Sequence, residues 1–325
     1  MRSQKPEFRS QNNGIGSPGN RRLLLNPWIP ASDNGCAFFR NSVAAVLFCP
    51  IFGVLRAERS LLQEMTMSSK ELKNKPLVEA LLELRWILAS QVPQQQVGPQ
   101  SDPHYRLLLG RFSERIEGDY PFHESLPPSE FPDVMVAHAP QHRFRVSKDS
   151  WPLIQIGPGI MTVNETARYT WPDFQKRCVE AVNKLFDAHP ARGEFQVQDL
   201  TLRYIDAVDV DFDKEDVFSF LRDKMNVNII LPESLFAEDR VRKAPAAFNW
   251  QASFPNSDPG GTMTLRFAMG QRKGTPAIIW ETMVQAGRDH VPMPSGFKNW
   301  LDRAHELTND WFFKMIEGDL QRRFS

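Results

Sequence analysis

The chain contains 325 residues, 41% of them hydrophobic, and its 39 Lys and Arg residues balance its 39 Asp and Glu residues. Without net charge it has no overall field that would draw it to nucleic acid or to an anionic membrane, so neither is an expected partner. Its cysteines, Cys36, Cys49 and Cys178, form neither a disulfide framework nor a metal-binding pair, which is typical of a reduced, cytoplasmic protein.

Residues 1–66 differ from the rest of the chain because they show no hydrophobic periodicity. They contain one apolar stretch, 42–55, which is short for a membrane span and is interrupted by Pro50. A signal peptide is one interpretation, although its charged region would lie far from the N-terminus. We expect instead a disordered segment or upstream sequence before a misplaced start, with Met65 or Met67 as the natural beginning.

The first half of the remaining chain begins with a strand over 77–86, in which apolar residues alternate with Glu79, Glu83 and Arg85. An apolar stripe then predicts a helix over 103–117, followed by a Pro-rich loop at 120–132. Further alternation predicts three strands and a closing amphipathic helix: 142–147, 152–157, 160–164 and 172–187.

The second half repeats this order of elements. It begins with a long strand at Phe195, and a short helix follows from Asp213. Three strands and a long helix complete it, and the polar tail after the helix is predicted to fray: 248–254, 263–269, 278–284 and 296–317.

These patterns predict an α+β fold made of a duplicated β-α-β-β-β-α unit. The halves are residues 67–190 and 191–325, and together they form one compact unit. Leu202-Arg203-Tyr204 echoes Leu84-Arg85-Trp86, which suggests a pseudo-twofold relation between the halves. We expect an antiparallel sheet, or two packed sheets, covered on one face by the two long amphipathic helices.

In the predicted strands, polar residues alternate with apolar ones and should share one face of the sheet. This polar face supplies the best candidate ligand-binding residues: Glu79, Arg85, Arg203 and Arg266. Because Arg85 and Arg203 hold equivalent places in the halves, a pseudo-twofold would bring them to one groove. Paired guanidinium groups suit a carboxylate or a phosphate. The alternative interpretation is an ordinary solvated sheet face.

Three carboxylates, Asp206, Asp209 and Asp211, are weaker candidates for a catalytic site. Asp209 and Asp211 would project from one face of a strand, as a divalent-cation site requires, but a solvated strand end explains them equally well. Asp206 occupies a position at which its strand otherwise carries apolar residues. It is therefore expected to be buried, either paired or lining a cavity. No usual metal-ligand spacing, phosphate loop or dinucleotide motif is present, so no metal or cofactor is predicted.

Several stretches resemble a sporadically distributed, uncharacterised prokaryotic protein family. They are Leu72-Lys73-Asn74-Lys75-Pro76-Leu77-Val78-Glu79-Ala80, Glu83-Leu84-Arg85-Trp86, Ile154-Gln155-Ile156-Gly157-Pro158 and Leu202-Arg203-Tyr204-Ile205. The resemblance spans about 72–325 and implies a fold and a patchy bacterial distribution, which is common among mobile, host-defence and toxin-linked genes. Since Asn usually replaces Asp206 in this family, the resemblance disfavours a catalytic carboxylate there.

Taken together, the sequence predicts a non-enzymatic binding or regulatory protein that recognises a protein partner or a small anionic ligand. The alternative is a metal-dependent hydrolase or nuclease-like enzyme that uses the strand carboxylates.

Overall fold

The described part of the chain is built on a nine-stranded sheet in which every neighbouring pair of strands is antiparallel. The computed structural model describes residues 72–90, 100–166, 168–238, 240–290 and 293–325. The expectations for residues 1–66 therefore lie outside the described residues. The described strands are β1 (Leu77–Trp86), β2 (Ala89–Ser90), β3 (Gln100–Ser101), β4 (Phe122–Ser125), β5 (His142–Arg145), β6 (Leu153–Gly157), β7 (Ile160–Glu165), β8 (Val197–Asp209), β9 (Asn249–Ser257), β10 (Gly260–Arg272) and β11 (Thr275–Gly287).

The strands follow the order β4-β5-β6-β7-β1-β8-β11-β10-β9, while β2 and β3 form a separate two-stranded ribbon. The long strands β1 and β8 therefore pair with each other near the middle of the sheet. Each of them continues outward through the antiparallel strands of its own half of the chain. This order places the two edges of the sheet at β4 and β9.

Five α-helices accompany the sheet in the described ranges, and none of them is long and apolar enough to cross a membrane. Short 3-10 helices lie at Pro127–Glu130, Asp133–Met135, Glu233–Phe236 and Arg288–His290. The α-helices are α1 (Tyr105–Ile116), α2 (Trp171–Ala188), α3 (Val217–Met225), α4 (Phe297–Ile316) and α5 (Asp319–Phe324).

All five helices pack on the same face of the sheet. Helices α1, α2 and the first half of α4 cover one apolar cluster, which includes Leu82 and Leu202. Helices α3, α5 and the end of α4 cover a second cluster, which includes Phe267 and Trp280. The strand residues in both clusters are the apolar ones of each alternating pattern. The polar residues between them therefore face the opposite side of the sheet.

The structure confirms the α+β class and the antiparallel sheet, and it shows one sheet rather than two packed sheets. It also adds three strands that the sequence did not predict, namely β4, which lies inside the predicted loop 120–132, and the two-residue strands β2 and β3. With only four residues between prolines, β4 is too short to show a clear alternation.

One predicted helix start and the prediction for the C-terminal tail were wrong. The helix expected from Asp213 begins at Val217, because Asp216 is the N-cap whose carboxylate accepts hydrogen bonds from the backbone N–H groups of Phe218 and Ser219. The tail expected to fray instead forms α5, which buries Leu320 and Phe324 in the second apolar cluster.

Candidate functional site

The candidate site is the face of the sheet opposite the helices, called the open face below. Its central row runs perpendicular to the strands, and the register places Glu83 opposite Thr162 on one side and Thr201 on the other. The full row, from β4 to β10, is Glu124, Arg143, Gln155, Thr162, Glu83, Thr201, Gln285 and Thr262. Eight adjacent strands thus contribute a polar side chain to the same row.

On one side of this row, two of the predicted arginines share a carboxylate. Arg266 Nη1 lies 2.8 Å from Glu281 Oε1, and Arg203 Nη1 lies 3.6 Å from Glu281 Oε2. The Glu281 side chain is only 15% exposed. Arg266 Nε also donates a hydrogen bond of 3.1 Å to Asn249 Oδ1. The open face therefore holds these two guanidinium groups around one largely buried carboxylate.

Arg85 belongs to a different cluster. Its Nε donates to Glu83 Oε1 at 2.7 Å, and Asp199 stands opposite it on β8. Burial raises the pKa of Asp199, while the nearby Arg85 guanidinium opposes this rise. Arg203 is opposite Leu81, four residues before Arg85 on β1, so the two arginines stand about 13 Å apart along the strands.

Glu79 lies on the open face within a third group of polar side chains. Its Oε1 accepts a hydrogen bond of 2.7 Å from Asn164 Nδ2, and Asn164 Oδ1 accepts one of 2.7 Å from Thr162 Oγ1. Both Thr162 and Asn164 are buried. The four predicted ligand-binding residues thus share one face, but they belong to three separate clusters.

A loop borders the open face beside Arg85. In this loop, Ala139 lies directly over Gly157, where a Cβ atom would stand 1.9 Å from the Ala139 carbonyl oxygen. The adjacent His138 donates its backbone N–H to Pro158 O at 2.8 Å. Gly157 is required here because only a residue without a side chain permits this close approach. This loop, called the rim below, lies over β6 at Gly157, two residues along that strand from Gln155 of the central row.

The three candidate carboxylates do not gather at one place. Asp209 ends β8 and binds Arg272 through both oxygens, at 2.9 and 2.7 Å. Asp211 lies beyond the strand and pairs with Lys214 at 2.7 Å, so it does not share a strand face with Asp209 as expected. Across the described part of the chain, no group of three or more His, Cys, Asp or Glu side chains could hold a metal ion.

Asp206 lies on the other side of the sheet, beneath the helices. It is 3% exposed, and burial raises the pKa of its carboxyl to about 8. Its cross-strand neighbour is Trp280, whose buried indole N–H has no hydrogen-bond partner among the described residues. The expected burial of Asp206 is confirmed, and its position separates it from the open face.

A nearby hydrogen-bonded chain in the same covered layer has a packing role. Tyr204 OH lies 3.0 Å from Tyr169 OH and 2.9 Å from His305 Nδ1. The His305 ring stacks on Trp171 with 3.7 Å between ring centroids. Burial lowers the pKa of His305 to about 4, so this imidazole is neutral at pH 7 and serves as a packed, hydrogen-bonded core group.

Sequence analysis missed some open-face residues, most clearly Asp199, Thr162 and Asn164. The sequence of β7 does alternate over Met161-Thr162-Val163-Asn164, but two uncharged polar residues in so short a strand do not mark a binding surface. Asp199 lies near the start of β8, before the regular alternation that begins at Leu200. The strand register, once known, would have identified all three as neighbours of Glu83, Leu81 and Arg85.

No protein-family model matches the chain, and no curated protein is significantly similar to it. The geometry of the open face is therefore the basis for a functional proposal.

Proposed function

We propose that this protein is a non-enzymatic binding or regulatory protein that recognises a protein partner through the open face. The observation that carries this proposal is the row of polar side chains across eight adjacent strands, on the side of the sheet away from the five α-helices.

The size of the open face favours a macromolecule. Nine strands spaced about 4.8 Å apart span about 38 Å, which is wider than a small ligand can contact. A protein–protein interface of ordinary size takes about 800 Å² from each partner, which is also more than a small ligand covers.

The electrostatic arrangement also favours a protein over a small anion. Arg203 and Arg266 are both engaged with Glu281, and Arg85 is engaged with Glu83. A small anion would have to compete with these internal carboxylates for the guanidinium groups. A protein surface can add donors and acceptors around the existing pairs without breaking them, and arginine is enriched in such interfaces.

We further propose that the two halves are related by duplication and by a pseudo-twofold axis through the Glu83–Thr201 pair. Arg85 lies two residues beyond this pair on β1, and Arg203 lies two residues beyond it on β8. Such an axis would map Leu84-Arg85-Trp86 onto Leu202-Arg203-Tyr204. The arginines would then form two equivalent contact points on either side of the centre, rather than one shared pocket.

Affinity capture from native-host lysate with matched variants tests the proposed function. Arg203→Glu and Arg266→Glu alter the open face, while Lys298→Glu alters an exposed side chain on α4 and serves as the control. The proposal expects a protein that is retained by the wild type and by Lys298→Glu but is lost from both arginine variants. Thermal unfolding of each variant checks that the fold is intact.

Two results would contradict this proposal. In the first, all variants retain the same proteins as the wild type. In the second, no protein is retained, but calorimetry with inorganic phosphate or a small dicarboxylate shows binding that Arg203→Glu abolishes. The second result would establish the small anionic ligand as the target.

A further inference from the structure

The two edges of the sheet differ in length and in charge. At one edge, β4 has four residues, including Glu124, and such a short charged edge discourages pairing with another strand. At the other edge, β9 runs for nine residues, Asn249–Ser257, without a charged side chain. A long, uncharged edge strand is a ready template for another strand unless something covers it.

The register shows which backbone groups of β9 point away from the sheet. Met269 N–H donates to Phe248 O at 3.0 Å, so this pair is directly hydrogen-bonded. Because such pairs alternate along an antiparallel ladder, the backbone groups of Asn249, Gln251 and Ser253 face outward. These groups make no backbone hydrogen bond with any other described segment, and all three residues are exposed.

An apolar strip runs along the helix side of the same edge. Phe254 is 43% exposed and its ring packs 5.5 Å from that of Trp311 on α4. Phe248 and Trp250 are half-buried next to it, packed against the second apolar cluster. The edge therefore combines unpaired backbone groups with aromatic surface, two features that a paired strand would cover together.

We propose that β9 pairs antiparallel with β9 of a second copy of this chain, around a twofold axis at Gln251. Centred there, the ladder uses Asn249, Gln251 and Ser253, all of which have a backbone N–H. Pro255 has none and lies just beyond the ladder, which fixes its end. A centre at Ser253 would place Pro255 opposite Gln251 and lose hydrogen bonds.

The uncharged character of β9 favours a copy of the same chain as the occupant. Two identical strands repel each other wherever they carry charge near a twofold axis, and β9 carries none. The proposed pairing also places Phe254 of each copy opposite Phe248 of the other, so both aromatic strips become covered. The dimer joins the nine strands of each copy into one continuous sheet and sets the two open faces side by side.

Sedimentation velocity of the full chain tests this proposal with two matched variants. Gln251→Glu places two carboxylates close together across the twofold, while within one copy the new carboxylate faces Arg266 favourably. Ser257→Glu adds the same charge on the same strand outside the proposed ladder. We expect the wild type and Ser257→Glu to sediment at twice the 37.3 kDa chain mass, and Gln251→Glu to sediment as a folded monomer whose circular-dichroism spectrum matches that of the wild type.

A cross-link provides an independent test of the register. Gln251→Cys places two thiols across the axis with Cα atoms about 5.5 Å apart, within disulfide range, whereas Ser257→Cys does not. Oxidation is expected to link only Gln251→Cys into covalent dimers. A wild type that is monomeric at tens of micromolar, a dimer that Gln251→Glu leaves intact, or equal cross-linking of both cysteine variants would overturn the proposal.

Discussion

The two faces of the sheet are formed by alternate residues of the same strands, yet they have different chemistry. Leu202 is fully buried beneath the helices, while the next residue, Arg203, lies on the open face and contacts Glu281. The covered face gains its stability from apolar burial, whereas the open face holds its charges in pairs that remain partly accessible. This difference separates the residues that maintain the fold from those available for recognition.

The largest expected effect is on the covered face. Trp300 is 4% exposed in the first apolar cluster, so Trp300→Ala should lower the free energy of unfolding by about 3–5 kcal/mol. Lys298→Ala, two residues earlier on the exposed side of α4, should change it by less than about 0.5 kcal/mol. Chemical denaturation of both variants measures this contrast, and equal losses would show that the helix face is wrongly assigned.

The second prediction concerns the carboxyl of Asp206, which is the exception on the covered face. In the unfolded chain it ionises near pH 4, while in the folded protein it keeps its proton to about pH 8. The stability associated with its protonated form is therefore complete below pH 4 and is lost as the pH rises toward 8.

The neutral variant Asp206→Asn should remove this pH dependence. Because one pKa unit corresponds to about 1.4 kcal/mol, the variant should gain about 2 kcal/mol or more over the wild type at pH 8 and little at pH 4. Urea denaturation at both pH values measures the difference. An Asp206→Asn variant whose relative stability does not change with pH would argue against a buried, unpaired carboxyl.

The third prediction concerns the rim of the open face. Gly157→Ala should cost about 1–3 kcal/mol, because the added methyl group would collide with the Ala139 backbone and push the rim outward. Gly110→Ala on α1 is the matched control, since its new Cβ meets nothing within 4 Å and should gain up to about 1 kcal/mol. Thermal unfolding of the two variants should shift in opposite directions, and a neutral Gly157→Ala would refute the close packing.

The smallest expected effect is at an ion pair of the open face. Arg85→Ala removes a half-exposed partner of Glu83, so the free energy of unfolding should fall by less than about 1 kcal/mol and respond to salt. Denaturation at low and high ionic strength provides the measurement. A loss comparable to that of Trp300→Ala would mean that the open face is part of the stabilising core.

Much of this fold follows from sequence periodicity. The alternation in β1 and the later part of β8 predicts strands with one apolar side, and the stripes of α2 and α4 predict helices that cover it. What the periodicity does not contain is the register between distant strands. For this reason the shared carboxylate of Arg203 and Arg266, and the place of Asp199 opposite Arg85, required the structure.

Local capping chemistry explains other differences. The acidic run before α3 offers several residues that can cap a helix, and the sequence does not select Asp216 among them.

The short tail at the C-terminus carries too few apolar residues to show helical periodicity, although Leu320 and Phe324 are buried. Tertiary packing, rather than local propensity, determines that α5 forms.

Arginine footprinting tests most directly whether the open face is the recognition surface. The captured complex and the free protein are treated with phenylglyoxal, and the modified arginines are identified by mass spectrometry. We predict that Arg85, Arg203 and Arg266 are protected in the complex, while Arg115 on α1 and Arg222 on α3 react equally in both samples. Protection of Arg115 or Arg222, with the open-face arginines still reactive, would contradict the account.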